Sequence, residues 1–188
     1  MIALQHFPLN RWLAVAAISS LTGCGVNGVK PLTRVASDVP GDHAIVVVGV
    51  TMKGSWAHPQ FGVVLDQYDV KAQGVTGNCF SYNRVEAVVS ATPAPTRFLA
   101  FDVPAGHYIY SAFNGGAFAS RDLAFQALPG HAVYIGNFLV GDAGNITLRS
   151  DLAENRSAIA QALPAVPAAL EMAPATTVAP AKPFMCAP

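Results

Sequence analysis

Imidazoles, carboxylates and hydroxyls are the groups in this chain that could do chemistry, and their spacing settles most cases. His107 and His131 each follow a glycine at the head of an apolar run, in near-repeats. Two imidazoles could hold Zn or Cu. No carboxylate or cysteine keeps ligand spacing with either, so both are read as strand-entry residues beside solvent and no metal is expected. Asp66 and Asp69 could face a calcium ion, but the loop signature with its central Gly and terminal Glu is missing. They are read as strand-edge charges. Gly54-Ser55-Trp56 lacks the second glycine of a nucleophile elbow. Paired carboxylates for sugar cleavage would draw on three Glu, two of them late in the chain. No catalytic constellation emerges, and the chain is not expected to be an enzyme or to need a cofactor. Trp56, Tyr108 and Tyr110 could contact a ligand by stacking on a sugar or filling a partner's pocket. The competing reading has the tyrosines covering a core and Trp56 covering a hairpin end.

Thiol chemistry depends on where the chain resides. Trp12-Leu13-Ala14-Val15-Ala16-Ala17-Ile18 is an apolar run preceded by a single positive side chain, Arg11, and followed by small residues. This is the layout of a secretory signal peptide, too short in its apolar part to anchor by spanning a bilayer. It ends in Leu21-Thr22-Gly23-Cys24, which resembles the lipobox of bacterial lipoproteins. That resemblance implies cleavage after Gly23, a diacylglycerol on the Cys24 thiol, and acylation of the new amine, palmitate being the usual chain. One acyl chain holds a protein only marginally, whereas two or three make attachment effectively permanent. In that family an Asp after the cysteine retains the protein at the inner membrane. Gly25 stands there instead, implying outer-membrane delivery in a host with two membranes. With Cys24 acylated, Cys79 and Cys186 are left as a pair in a compartment that favours disulfides. A bridge between them would close a loop of over a hundred residues, worth about 4–5 kcal/mol in the chain-entropy model.

Lys+Arg and Asp+Glu are balanced at 11 each, and the sequence shows no run of basic residues of the kind a nucleic-acid binder clusters on one face, so no nucleic-acid partner is expected. Charged residues make up only 12% and hydrophobic ones 52%, an apolar balance to which the signal and an alanine-rich end both contribute.

The elements follow from period and punctuation. Residues 25–42 hold Gly25, Gly28, Pro31, Pro40 and Gly41 without apolar period, predicting a flexible tether over 24–42. Ala44–Val50 is β-branched throughout, as in a strand buried on both faces. Further strands are expected over Phe61–Val70, Phe80–Val89, Arg97–Val103, His107–Phe113, Phe118–Ala127, His131–Val140 and Ile146–Arg149. Short strands separated by Gly and Pro predict an all-β, antiparallel sandwich of about 7–8 strands. The gaps between them are too short for parallel crossovers. One short helix is expected over 153–163, with Asp151 as cap, Glu154 completing a capping box, and Leu152, Ile159 and Leu163 lying against an edge of the sandwich. Pro164 stops it. Residues 164–188, with prolines at 164, 167, 174, 180, 183 and 188, read as an extended Ala/Pro-rich tail. A fragment over 39–163 is therefore expected to fold unaided.

Val103-Pro104-Ala105-Gly106-His107-Tyr108 and Leu128-Pro129-Gly130-His131-Ala132-Val133-Tyr134-Ile135-Gly136 resemble the turns of a loose group of uncharacterised bacterial lipoproteins. Those carry a small transthyretin-like or carboxypeptidase-regulatory-like β-sandwich. The likeness covers Arg97–Leu163 and implies a periplasmic or surface β-domain of no established activity. The expected organisation is a signal peptide over 1–23, a tether over 24–42, the sandwich with its helix over 43–163 and a tail over 164–188. The expected role is a non-enzymatic, membrane-anchored module of the cell envelope that meets another envelope protein. The alternative is a module binding carbohydrate or peptidoglycan.

Overall fold

A computed structural model describes residues 25–33, 39–120, 122–180 and 182. The short strands β1 (Val26–Asn27) and β2 (Lys30–Pro31) lead into β3 (His43–Met52), β4 (Gln60–Asp69), β5 (Gly74–Val75), β6 (Ser81–Tyr82) and β7 (Arg84–Ser90). After them come β8 (Arg97–Pro104), β9 (Gly106–Tyr110), β10 (Ala117–Phe118), β11 (Leu123–Ala127), β12 (Ala132–Val140) and β13 (Asn145–Arg149). The helix α1 (Leu152–Ala162) precedes β14 (Leu170–Met172) and β15 (Ala175–Thr177). The chain is an all-β sandwich with one short helix. Its strands of five or more residues, β3, β4, β7, β8, β9, β11, β12 and β13, are those the sequence pattern predicts.

One sheet runs β10-β13-β12-β3-β8-β2, with β14 also paired to β12. The second runs β15-β11-β9-β4-β5, with β7 also on β4. The first sheet is mixed rather than wholly antiparallel, because its central pair β3–β12 is parallel, while the strand pairs of the second are all antiparallel. Gap length constrains only strands adjacent in sequence; β3 and β12 are far apart in the chain, and the intervening strands visit both sheets. The turn Pro104-Ala105-Gly106 carries the chain from β8 in one sheet to β9 in the other. The Tyr108 hydroxyl reaches back over it and donates to the Pro104 carbonyl at 2.9 Å.

Alternation along β3 explains its unbroken apolar run. Val46, Val48 and Val50 enter the core between the sheets, where they join Val63, Leu65, Val85, Val133 and Phe138. Ile45 and Val47 face the other way, into a second cluster with Leu152, Ile159 and Leu170 beneath the helix. The helix thus lies over the outer face of the first sheet, not at an edge. On β7 the alternation is that of a half-buried strand, with Val85, Ala87 and Val89 inside and Glu86, Val88 and Ser90 outside.

Two expected boundaries are corrected. The segment 25–31 is not a free tether: β1 pairs in parallel with β6, β2 pairs with β8, and Val29 is buried in the core. Nor is 164–180 a loose tail. Leu170 packs under the helix, Ala173 enters the main core, and Val178 covers Tyr68, Ile109 and Ala124 on the outside of the second sheet. β14 pairs with β12 in the first sheet and β15 with β11 in the second, so this strap crosses the open side of the sandwich. An Ala/Pro-rich sequence forms no core of its own, but it can supply short edge strands to one that exists.

Candidate functional site

Cys24, the expected acylation point, and Cys186 lie outside the described residues. Cys79 is disulfide-bonded, and with three cysteines in the chain its partner is one of those two. A Cβ built on Gly25 would sit 3.0 Å from the Cys79 carbonyl oxygen. Lys182 bridges in parallel to Gly74, and its carbonyl accepts from the Val75 amide.

Two of the three aromatic ligand candidates are core residues. Tyr108 is 0% exposed and Tyr110 4%. Their two-residue spacing does put them on one face, but it is the inner one. The Tyr110 ring packs against Phe118 at 4.7 Å and Phe138 at 6.1 Å. Burial pushes the Tyr108 phenol well above its ordinary range. Trp56 is half-buried, edge-on to Phe61 at 5.1 Å, with Gly115 and Gly144 closing against its ring. The three do not form one contact surface, and the ligand-contact expectation is corrected for Tyr108 and Tyr110.

Two of the histidines pair with a carboxylate on a neighbouring strand. His131 meets Glu171 of β14 at 2.7 Å, while His107 lies in the other sheet, opposite Tyr68 and Gln126. His43 and Asp102, which sequence reasoning missed, pair at 2.6 Å across β3 and β8. Among the described residues no serine or threonine hydroxyl is hydrogen-bonded to either paired imidazole. Groups of three or more His, Cys, Asp or Glu able to hold a metal ion are not found among the described residues.

Asp66 and Asp69 cannot share a cation, because positions three apart on a strand point to opposite faces. Asp66 is not a strand-edge charge either: it is 3% exposed, and its carboxylate accepts from Arg84 Nε at 2.6 Å. Asp69 caps the following turn. Its carboxylate accepts from the amides of Ala72 and Lys71, which hold its pKa below the usual value. The helix cap also differs from expectation. The Asp151 side chain caps nothing; it accepts from the buried Tyr134 hydroxyl at 3.0 Å. Burial, with the Asp151 charge second, pushes the Tyr134 phenol up. Glu154 forms no capping box and pairs with Arg149 at 3.2 Å.

What the sequence does not announce is that three large apolar residues outside the core stay exposed. Val26 is 66% exposed, Phe80 71% and Phe113 62%. The β1–β6 ladder sets Val26 opposite Ser81, and the Val26 amide donates to the Phe80 carbonyl at 2.8 Å. The Asn78 side chain accepts from the amides of Phe80 and Ser81 and fixes that loop. The Arg84 guanidinium lies 5.6 Å from the Tyr82 ring and 5.9 Å from the Phe113 ring. The Asn27 side chain donates to the Arg84 carbonyl and accepts from the Arg84 amide, locking β1 to β7.

Comparisons with family models, with curated proteins and with solved structures each return no match to this chain.

Proposed function

We propose that this is a lipid-anchored protein of the bacterial cell envelope, held through Cys24, whose sandwich acts as a non-enzymatic interaction module. The observation that carries the reading is Leu21-Thr22-Gly23-Cys24 placed directly behind a short apolar run. No helix among the described residues is long and apolar enough to cross a membrane. Gly25 after the cysteine favours delivery to the outer membrane where the host has two. The interaction role draws support from how the buried polar side chains are used. Asp66 serves Arg84 and Asp151 serves Tyr134. Thr51, Thr96 and Asn137 bond to one another, and Ser111 accepts from the Phe113 amide. Each holds the fold, and none is spent on a pocket. The partner is another envelope protein, met by the surface of the sandwich.

The test is Cys24→Ala in the full chain, expressed in a bacterial host with metabolic labelling by a palmitate analogue. The wild type is expected in the membrane fraction carrying label. The variant is expected without label, either uncleaved or released as soluble protein. A variant that keeps the wild-type mass and stays with the membrane contradicts the reading.

A further inference from the structure

We infer that β7 is a self-association edge, along which two copies of this chain pair antiparallel about Val88 and join their second sheets into one. The inference goes beyond the envelope reading and does not depend on the lipid anchor. An unpaired strand edge is a template for another strand, and folded proteins keep such edges short, capped or charged. Among the described residues, every other strand with a single ladder partner is two or three residues long. β7 has seven residues and pairs only with β4. Parity along β7 shows which backbone groups are open. The Gln67 amide donates to the Asn83 carbonyl and the Ala91 amide to the Pro59 carbonyl, so odd-numbered residues bond toward β4 and even-numbered ones point away from it. At Arg84 both outward groups are taken by the Asn27 side chain, which makes the two bonds a neighbouring strand would make. At Glu86, Val88 and Ser90 neither the N–H nor the C=O has a partner among the described residues.

The pattern of this edge is complementary to itself. A second copy turned about a twofold axis at Val88 sets Val88 opposite the partner's Val88 and Glu86 opposite the partner's Ser90. The open residues of each copy then meet in full, and each facing pair exchanges both of its backbone hydrogen bonds. Glu86 meets a hydroxyl, and the two Glu86 residues stand four positions apart along the ladder, about 14 Å. A parallel pairing would place them side by side, where like charges oppose each other. Arg84, capped by Asn27, lies outside the ladder, so its guanidinium stays on Asp66. Val88 is 44% exposed, and its cross-strand neighbour on β4 is Gly62, which has no side chain to cover it. The partner's Val88 supplies that cover. On the inner face Val89 and Ala91, the least buried members of the main core, both lie at the end of this edge. Pairing extends the core past them.

The test uses the full chain, purified in mild detergent, with Val88→Cys as probe, Glu86→Cys as control and the wild type as baseline. Both side chains are exposed, so neither substitution disturbs the core. Facing residues of an antiparallel pair stand about 5.5 Å apart at Cα, within disulfide reach, whereas the two copies of position 86 do not. After mild oxidation the Val88→Cys protein is expected as a disulfide-linked dimer, in about tenfold or greater excess over the Glu86→Cys protein. Combining Glu86→Cys with Ser90→Cys is expected to restore the link. Equal cross-linking of the two single variants means random collision and overturns the inference, as does no cross-linking of either. Sedimentation equilibrium in density-matched detergent needs no added thiol. The wild type is expected to dimerise, and Val88→Lys, which brings two like charges face to face, to weaken the dimer about tenfold or more. A wild type that stays monomeric at about 0.1 mM overturns the inference whatever the variants do.

Discussion

Cutting the chain after Leu163 is expected to abolish most of the stability of the sandwich, although what is removed reads as a proline-rich tail. The strap from 164 to 180 contributes a buried Leu170 and Ala173 and the half-buried Met172. It also carries the ladders of β14 on β12 and β15 on β11. Beyond the ladders, the Ala173 amide donates to the Tyr134 carbonyl, Gln126 to Pro174, and Val178 to Asp122. The Tyr68 hydroxyl donates to the Ala179 carbonyl at 3.0 Å. Burying one leucine contributes about 2 kcal/mol and each net hydrogen bond about 1 kcal/mol. The loss should reach about 5 kcal/mol, comparable with the whole stability of a marginal domain. It would also expose the edges of β11 and β12, an invitation to aggregate. Urea unfolding followed by far-ultraviolet circular dichroism should show a broad or absent transition for the truncated form. Leu170→Ala in the full chain should retain a cooperative transition at a cost of about 2–4 kcal/mol. A truncated protein with the midpoint of the full chain would contradict the role given to the strap.

Gly136→Ala is a change of one methyl group expected to cost several kcal/mol. β12 sends Val133 and Ile135 to the main core and then Phe138 and Val140, a change of parity that needs an extra residue. The register with β3 shifts between Tyr134 and Gly136, which marks the bulge. Gly136 sits at φ +134°, and a Cβ there would lie 2.8 Å from the Arg149 carbonyl oxygen and 2.8 Å from Leu148 Cδ1. The backbone conformation alone costs about 1–3 kcal/mol for a residue with a side chain. The clash with a neighbouring strand, which cannot simply rotate away, brings the expected loss to about 3–5 kcal/mol. Gly41→Ala is the control, since a Cβ there meets nothing within 4 Å. Equal melting temperatures for the two variants would contradict the assignment of the bulge.

The long strands were legible because each carries its own evidence. β7 alternates, β3 is apolar on both faces because a layer covers each, and the glycines and prolines between strands mark where the chain turns. Strands of two or three residues carry no period, so β1, β2, β14 and β15 are not legible in the sequence and the pattern places both ends of the domain too far inward. Asp151 shows a limit of another kind. It stands where a helix cap should, but the buried Tyr134 hydroxyl below it takes the carboxylate instead. Tyr108 and Tyr110 were placed correctly on one face, yet a strand pattern does not say which face is inside. The exposure of Val26, Phe80 and Phe113 is set by the tertiary structure and has no local period to announce it.

The central claim is that the Cys24 thiol carries lipid, and the disulfide at Cys79 offers the most direct test. An acylated Cys24 cannot also be oxidised, so Cys186 must then be the partner of Cys79. Non-reduced protein extracted from membranes, digested and examined by mass spectrometry, should give two products. One is an N-terminal peptide beginning at Cys24 and carrying the mass of the acyl groups. The other is a cross-linked pair containing Cys79 and Cys186. A cross-linked pair containing Cys79 and an unacylated Cys24 would contradict the account.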